Sequence, residues 1–360
     1  DYLTSYLEPV FGSTVTRVSD RANQTGNAQP YPKQGSAWNS DGSILRMQYR
    51  LYDAGTFEEL PLTRGQDINA AYALMGSPEH GAGDIRWSKV SPDVMFVLDS
   101  SQRFVRLTLN ADRSQIQKQV LIDLSALGFE TISMGNNEGD LDFADARVVF
   151  AAKRPGDETV YALMYEVGED DLTWVKTVPH GRWSTAYGDP DYFDWISIDV
   201  SGDYIVLNAQ DSIHVYDTNL ENEVLLSDEG SHGDIGVDGF GDPVYVQFEF
   251  VGTQGIWSYN LRTHQALELL PSKYNGGHIS CRNFNRPGWC YMSTIEAGYR
   301  EVFAVKLDGS GLVNRFAQTY TSDGYSSLGV TNPDGTEMLF QSDWGDVGSQ
   351  SDSYHVEFNH

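Results

Sequence analysis

Trp195-Ile-Ser-Ile-Asp-Val-Ser-Gly-Asp-Tyr-Ile-Val206, followed by Ser212-Ile-His-Val-Tyr-Asp217 and Glu223-Val-Leu-Leu226, strings together four short apolar stretches separated by turns. The stretches are rich in β-branched and aromatic side chains, and the separators are clusters of Ser, Gly, Asp and Asn. That is the pattern of antiparallel hairpins, not of helices. One such run is one four-stranded sheet. Its first hairpin recurs along the chain, at Ser36–Leu45, Asp84–Val97, Asp140–Phe150, Asp234–Val246, His278–Tyr291 and Leu328–Phe340, which makes seven copies with the one quoted.

A repeated four-stranded unit is how a single all-β domain grows to 360 residues, and the architecture it predicts is a seven-bladed β-propeller. Blades are expected to start near residues 36, 84, 140, 195, 234, 278 and 328 of one domain spanning residues 1–360. The last copy runs short of a strand after Tyr354-His-Val-Glu-Phe358. Ser13-Thr-Val-Thr-Arg-Val-Ser19 has the alternation to supply it and so to close the ring without a free edge. Two stacked sandwiches are the alternative. The links Leu60 to Asp84, Ile122 to Asp140 and Val178 to Asp194 are long, and long links on a rigid scaffold are where sites are built.

Composition narrows the function. Lys and Arg total 24 against 51 Asp and Glu, a formal net charge of −27, with 40% hydrophobic residues. There is material for a core, and a chain this acidic repels phosphate backbones and anionic membranes. No apolar run is long enough to span a membrane. The chain opens on Asp1-Tyr2-Leu3-Thr4 without Met or the blocks of a signal sequence, which reads as a processed or trimmed form and fits export. Cys281 and Cys290 are read as a disulfide, with buried thiols or two metal ligands as the alternatives.

Asn332-Pro-Asp-Gly-Thr-Glu-Met-Leu-Phe-Gln-Ser-Asp-Trp-Gly345 resembles the repeat of TolB-like propellers. Gly277–Trp289, Ser231–Gly236 and Tyr31–Gly42 resemble segments of exported bacterial polysaccharide lyases of the oligogalacturonate and ulvan lyase type. The resemblance implies a secreted or periplasmic enzyme that cleaves an acidic polysaccharide by β-elimination. The oligogalacturonate lyases hold a metal with histidines that include the last blade, whereas Tyr325–Val330 here carries none. The ulvan lyases draw on histidines of the third and fourth blades, whereas the link from Ile122 to Asp140 has none.

Removing a proton beside a carboxylate calls for a base, an acid and a cation on the carboxylate. His180-Gly-Arg-Trp-Ser-Thr-Ala-Tyr-Gly-Asp-Pro-Asp-Tyr192 offers them in one expected loop: His180 or Tyr187 for the proton, Arg182 for the carboxylate, Trp183 and Tyr192 for the sugar face. The alternative is an aromatic loop packed on its neighbours. His232 and His278 open the first strands of neighbouring blades and are expected to face each other, as an acid–base pair or, with Asp234, as ligands of zinc, calcium or manganese. Histidines bonded only to backbone or water are the plainer outcome. Asn137, Arg86 and His80 are the remaining candidates for holding substrate. The expected partner is an acidic oligosaccharide or polysaccharide bound by a monomer, and the rival functions are a non-catalytic glycan- or protein-binding propeller and a metal-dependent hydrolase.

Overall fold

The computed structural model describes residues 2–20, 37–47, 50–62, 85–99, 101–135, 138–169, 171–183, 192–209, 211–250, 254–274, 276–294, 300–322, 327–345 and 351–358. The protein is an all-β propeller of antiparallel sheets, and its chain divides into two compact units: residues 1–59 with 232–360, and residues 60–231.

In the first unit β1 (Ser5–Leu7) and β2 (Thr14–Arg17) form a hairpin. The buried Glu8 carboxylate shapes its turn by accepting the Val10 and Phe11 amides at 2.9 and 2.7 Å. β3 (Ile44–Met47) and β4 (Arg50–Asp53) make a two-stranded sheet.

The second unit contains three sheets. They are β5 (Ile85–Trp87), β6 (Val94–Leu98), β7 (Arg103–Leu109) and β8 (Ile116–Asp123); β9 (Thr131–Ser133), β10 (Arg147–Lys153), β11 (Thr159–Glu166) and β12 (Asp171–Arg182); and β13 (Phe193–Ile198), β14 (Tyr204–Ala209), β15 (Ser212–Asp217) and β16 (Val224–Ser227). Phe96, Phe104, Phe150 and Tyr165 pack between the first two of these sheets, and Ile196, Ile205 and Leu207 pack with Val160 and Met164 between the next two.

The remaining sheets return to the first unit: β17 (Gly233–Val237), β18 (Pro243–Glu249), β19 (Gly255–Asn260) and β20 (Ala266–Pro271); then β21 (Gly277–Ser280), β22 (Trp289–Thr294), β23 (Glu301–Lys306) and β24 (Val313–Gln318); then β25 (Val330–Thr331), β26 (Glu337–Ser342) and β27 (Asp352–Glu357). The last three join β2 and β1 in one five-stranded sheet, with Thr14 opposite Glu357 and Arg17 opposite Tyr354. The alternation of residues 13–19 therefore does place that stretch beside Tyr354–Phe358.

The repeated Asp or Asn of the first turn has one physical job. Its side-chain oxygens accept backbone amides that the turn leaves unpaired. Asp199 takes Ser201, Asp203 and Tyr204, Asp238 takes Phe240 and Asp242, and Asn332 takes Thr336 and Glu337.

Six blades of four or more strands are present among the described residues, not seven. The first expected copy keeps the strand order of a blade, but its outer members shrink to single bridges, Trp38 to Leu45 and Tyr52 to Glu59, on either side of β3 and β4. Asp53 gathers the Gly55 and Thr56 amides into a turn and so ends β4 early.

The third expected blade is also shifted. Its first strand is β9, ahead of Asp140. A tight turn follows, in which the Glu138 and Gly139 amides both donate to the Gly135 carbonyl at 2.7 and 2.9 Å. Asp140 comes after it as a buried acid paired with Lys89.

Candidate functional site

His232 and His278 meet as the sequence order suggested. His232 immediately precedes β17, His278 is the second residue of β21, and their ring centroids lie 4.9 Å apart at 49°. His278 is buried and His232 partly so. A glycine sits beside each ring. Gly233 lies so close to Tyr245 that an added Cβ would come within 2.2 Å of its hydroxyl. At Gly277, with φ +134°, an added Cβ would lie 1.8 Å from the Ser293 carbonyl oxygen. Side chains at those two positions would push the strands apart, so the glycines let the two histidine-bearing segments seat deeply against their neighbours.

Asp234, expected as a third ligand, is committed elsewhere. It is fully buried, its Oδ1 accepts the Arg282 guanidinium at 2.6 Å and the Ile235 amide at 2.8 Å, and its Oδ2 accepts the Cys281 amide at 2.7 Å. The carboxylate is thus a tie between β17 and the segment after β21, and a buried carboxylate with a guanidinium and two amides has its lone pairs largely spent. Cys281 and Cys290 beside it form a disulfide, with Cα atoms 4.5 Å apart. Gly236 makes room for it, since a Cβ there would come within 2.7 Å of the Cys281 Cβ.

The segment beginning at His180 is not wholly the loop that its composition suggested. The alternation of Asp171–Arg182 carries β12 through His180 and Arg182, with Pro179 tolerated because β12 is an edge strand. Arg182 is solvent-exposed at the strand's end and bridges Tyr192 through the backbone. Trp183 is buried and stacked on Phe193 at 5.4 Å, and Tyr192 is buried too. Arg86 is buried in β5 with its Nε donating to the Gly139 carbonyl at 2.6 Å. Tyr187, Asn137 and His80 lie outside the described residues.

His180 enters a cluster that the sequence did not announce. Its Nε2 is 2.7 Å from Glu223 Oε1, and its ring stacks on His214 with centroids 3.9 Å apart and planes 11° from parallel. His214 Nδ1 lies 2.9 Å from the same oxygen. Burial first, then the adjacent His180, push the His214 pKa down against the opposing pull of Glu223 and Asp211, so its imidazole is held neutral. Burial and then Glu223 push the Tyr216 hydroxyl well above its ordinary range.

Searches against known proteins find the fold and stop there. No protein-family model matches the chain, and no curated protein matches it by sequence. A solved structure of oligogalacturonate lyase in complex with manganese superposes with a TM-score of 0.66 at 14% identity, covering 99% of this chain and 96% of that one. The oligogalacturonate lyase of Vibrio parahaemolyticus gives 0.64 at 12%, with the same coverage of both chains. TolB from Acinetobacter baumannii aligns at 0.43 and 13%, over 94% of this chain and 86% of that one. The protein shares the propeller fold of the oligogalacturonate lyases, and at these identities the likeness is one of fold.

Proposed function

We propose that this protein is an exported lyase that cleaves a uronate-containing polysaccharide or oligosaccharide by β-elimination, with His232 and His278 as its acid–base pair. The observation that carries the reading is the pair itself: two imidazoles 4.9 Å apart on the opening segments of neighbouring sheets, in a protein that shares its fold with oligogalacturonate lyases over nearly its whole length. A neutral imidazole takes the proton beside the substrate's carboxylate, and a protonated one gives a proton to the departing glycosidic oxygen. Such transfers contribute ~10²–10⁴ each. The disulfide agrees with an oxidising compartment, and among the described residues no helix is long and apolar enough to cross a membrane.

The manganese of the lyase neighbour does not fit the His232–His278 pair through Asp234, because that carboxylate is held by Arg282 and two amides. No step of the reaction is assigned to a metal there. The substrate carboxylate still calls for a cation to stabilise the carbanion formed beside it.

The test is a panel of uronate glycans, following the ultraviolet absorbance of the unsaturated product. Turnover by the wild type that falls by ~10²–10⁴ in His232→Ala and in His278→Ala supports the reading. A wild type that cleaves none of the panel sinks it and favours a binding propeller.

A further inference from the structure

The geometry points to a second site, separate from the proposed acid–base pair: His180, His214 and Glu223 bind one divalent cation of the zinc type on the outer strands of two sheets. His180 lies on β12, the edge strand of its sheet, His214 on β15, and Glu223 just before β16, the edge strand of the next. Among the described residues these three form the group of His, Cys, Asp or Glu side chains whose ligand atoms all fall within 4.8 Å of one another.

The buried member is what separates this cluster from an ordinary surface ion pair. The His214 side chain is only 6% exposed, and its Nδ1 faces Glu223 Oε1 at 2.9 Å. Yet among the described residues that nitrogen makes no aligned hydrogen bond. The opposite nitrogen, Nε2, is 2.8 Å from the Ser212 hydroxyl. The Nε2–H tautomer, donating to that hydroxyl, directs the Nδ1 lone pair into the cluster, as an outer partner does for a metal-bound imidazole.

The frame around the trio is already assembled. Trp174 Nε1 donates to the Thr218 carbonyl at 3.0 Å, and Lys176 reaches the Asn219 carbonyl and Glu221, so β12 is docked on the turn that precedes Glu223. His180 and Glu223 are 39% and 37% exposed. They have the freedom to turn by the small amount that brings both nitrogens and one oxygen to ~2.0–2.2 Å from a common ion.

Two imidazoles and a single carboxylate select a borderline ion of the zinc class. Calcium takes six to eight oxygens, and magnesium and manganese prefer oxygen-rich sets. Three protein ligands leave a fourth position for water. Bound there, the ion would clasp β12 to the β15–β16 hairpin.

The test strips the full-length protein with a chelator and titrates zinc chloride against a chromophoric competitor, with cobalt(II) as a spectroscopic probe. The wild type should take up one equivalent of zinc and show the visible bands of a four-coordinate cobalt site. Ser212→Ala should weaken the affinity by ~10–100-fold, and His214→Ala by more. Should His214→Ala fail to fold, His180→Ala and Glu223→Ala change exposed side chains and should give the same loss with an unaltered circular dichroism spectrum. No uptake by the wild type, or undiminished uptake in His180→Ala and Glu223→Ala, overturns the proposal. So does loss of the zinc in a His232→Ala, His278→Ala variant, which would place the ion at the other pair. The readout is metal binding, so it stands or falls independently of lyase activity.

Discussion

Two pairs of histidines face each other in this protein, and they are built in opposite ways. His232 and His278 sit at the opening ends of their sheets, tilted at 49°, each beside a glycine that lets the backbone close in, with the nearby Asp234 spent on Arg282. His180 and His214 sit on outer strands with their rings nearly parallel, and one carboxylate oxygen is within 2.9 Å of a nitrogen of each. A carboxylate shared between imidazoles fixes protons or draws in a cation, whereas the bonds of Asp234 run to Arg282 and two amides. The difference between the two places lies less in the residue type than in where the nearest acid has been committed.

The strongest way to break the unit that carries the tilted pair is to remove residues 1–20. Val15 and Val18 are fully buried in that unit, and the loss of their burial alone costs roughly 3–6 kcal/mol. The thermal midpoint should fall sharply, and an unchanged melt would mean that β2 contributes nothing to its sheet.

A sharper contrast comes from single substitutions assayed on uronate glycans. His278→Ala should lower kcat/KM by ~10²–10⁴, whereas His214→Ala should leave it within a few-fold. Equal losses in both would erase the distinction between the pairs.

Breaking the disulfide tests the support behind Asp234. Closing a loop of nine residues stabilises by about 2–3 kcal/mol in the chain-entropy description. The Cys281→Ser, Cys290→Ser variant should therefore melt several degrees lower, and reductant should do the same to the wild type. Mass spectrometry of unreduced, alkylated protein should find no labelled thiol. Gly277→Ala adds about 1–3 kcal/mol of strain at a backbone position of positive φ to a Cβ that would lie 1.8 Å from the Ser293 carbonyl oxygen. It should therefore lower the melt at least as far as the disulfide variant and, because His278 is the next residue, lower turnover as well. A Gly277→Ala variant with normal turnover would show that the close approach to Ser293 does not position the ring.

Much of this architecture was legible in short-range patterns. The short apolar runs in Trp195–Val206 and Ser212–Asp217 mark β13 to β15, because these strands are buried on both faces and their sequences are apolar almost throughout. The first copy misled because Ser36–Leu45 has the right hairpin letters, but among the described residues its sheet is β3 and β4 flanked by the single bridges Trp38 to Leu45 and Tyr52 to Glu59. The third misled because Thr131–Ser133 is too short to announce a strand, while Asp140–Phe143 looks like one.

His232 and His278 were found because both mark the same place in the repeat. The outer cluster was missed because His180 and Glu223 are 43 residues apart and meet only when an edge strand lies against the next sheet's hairpin. A histidine at the centre of a strand, as His214 is, reads as half-buried filler. The one local hint was Ser212, two positions earlier on the same face of the strand.

The pairing of β2 with β27 also sets a timetable. Arg17 and Asp352, 335 residues apart, join by a hydrogen bond of 2.6 Å across that sheet. At ribosomal speeds of roughly 5–20 residues per second, β2 emerges on the order of tens of seconds before its partner exists. The local β1–β2 hairpin can form at once and cover one edge. The other edge, with Val15 beside it, waits for almost the whole chain to be synthesised, and during that interval the nascent protein offers an unpaired strand to any neighbour able to extend it.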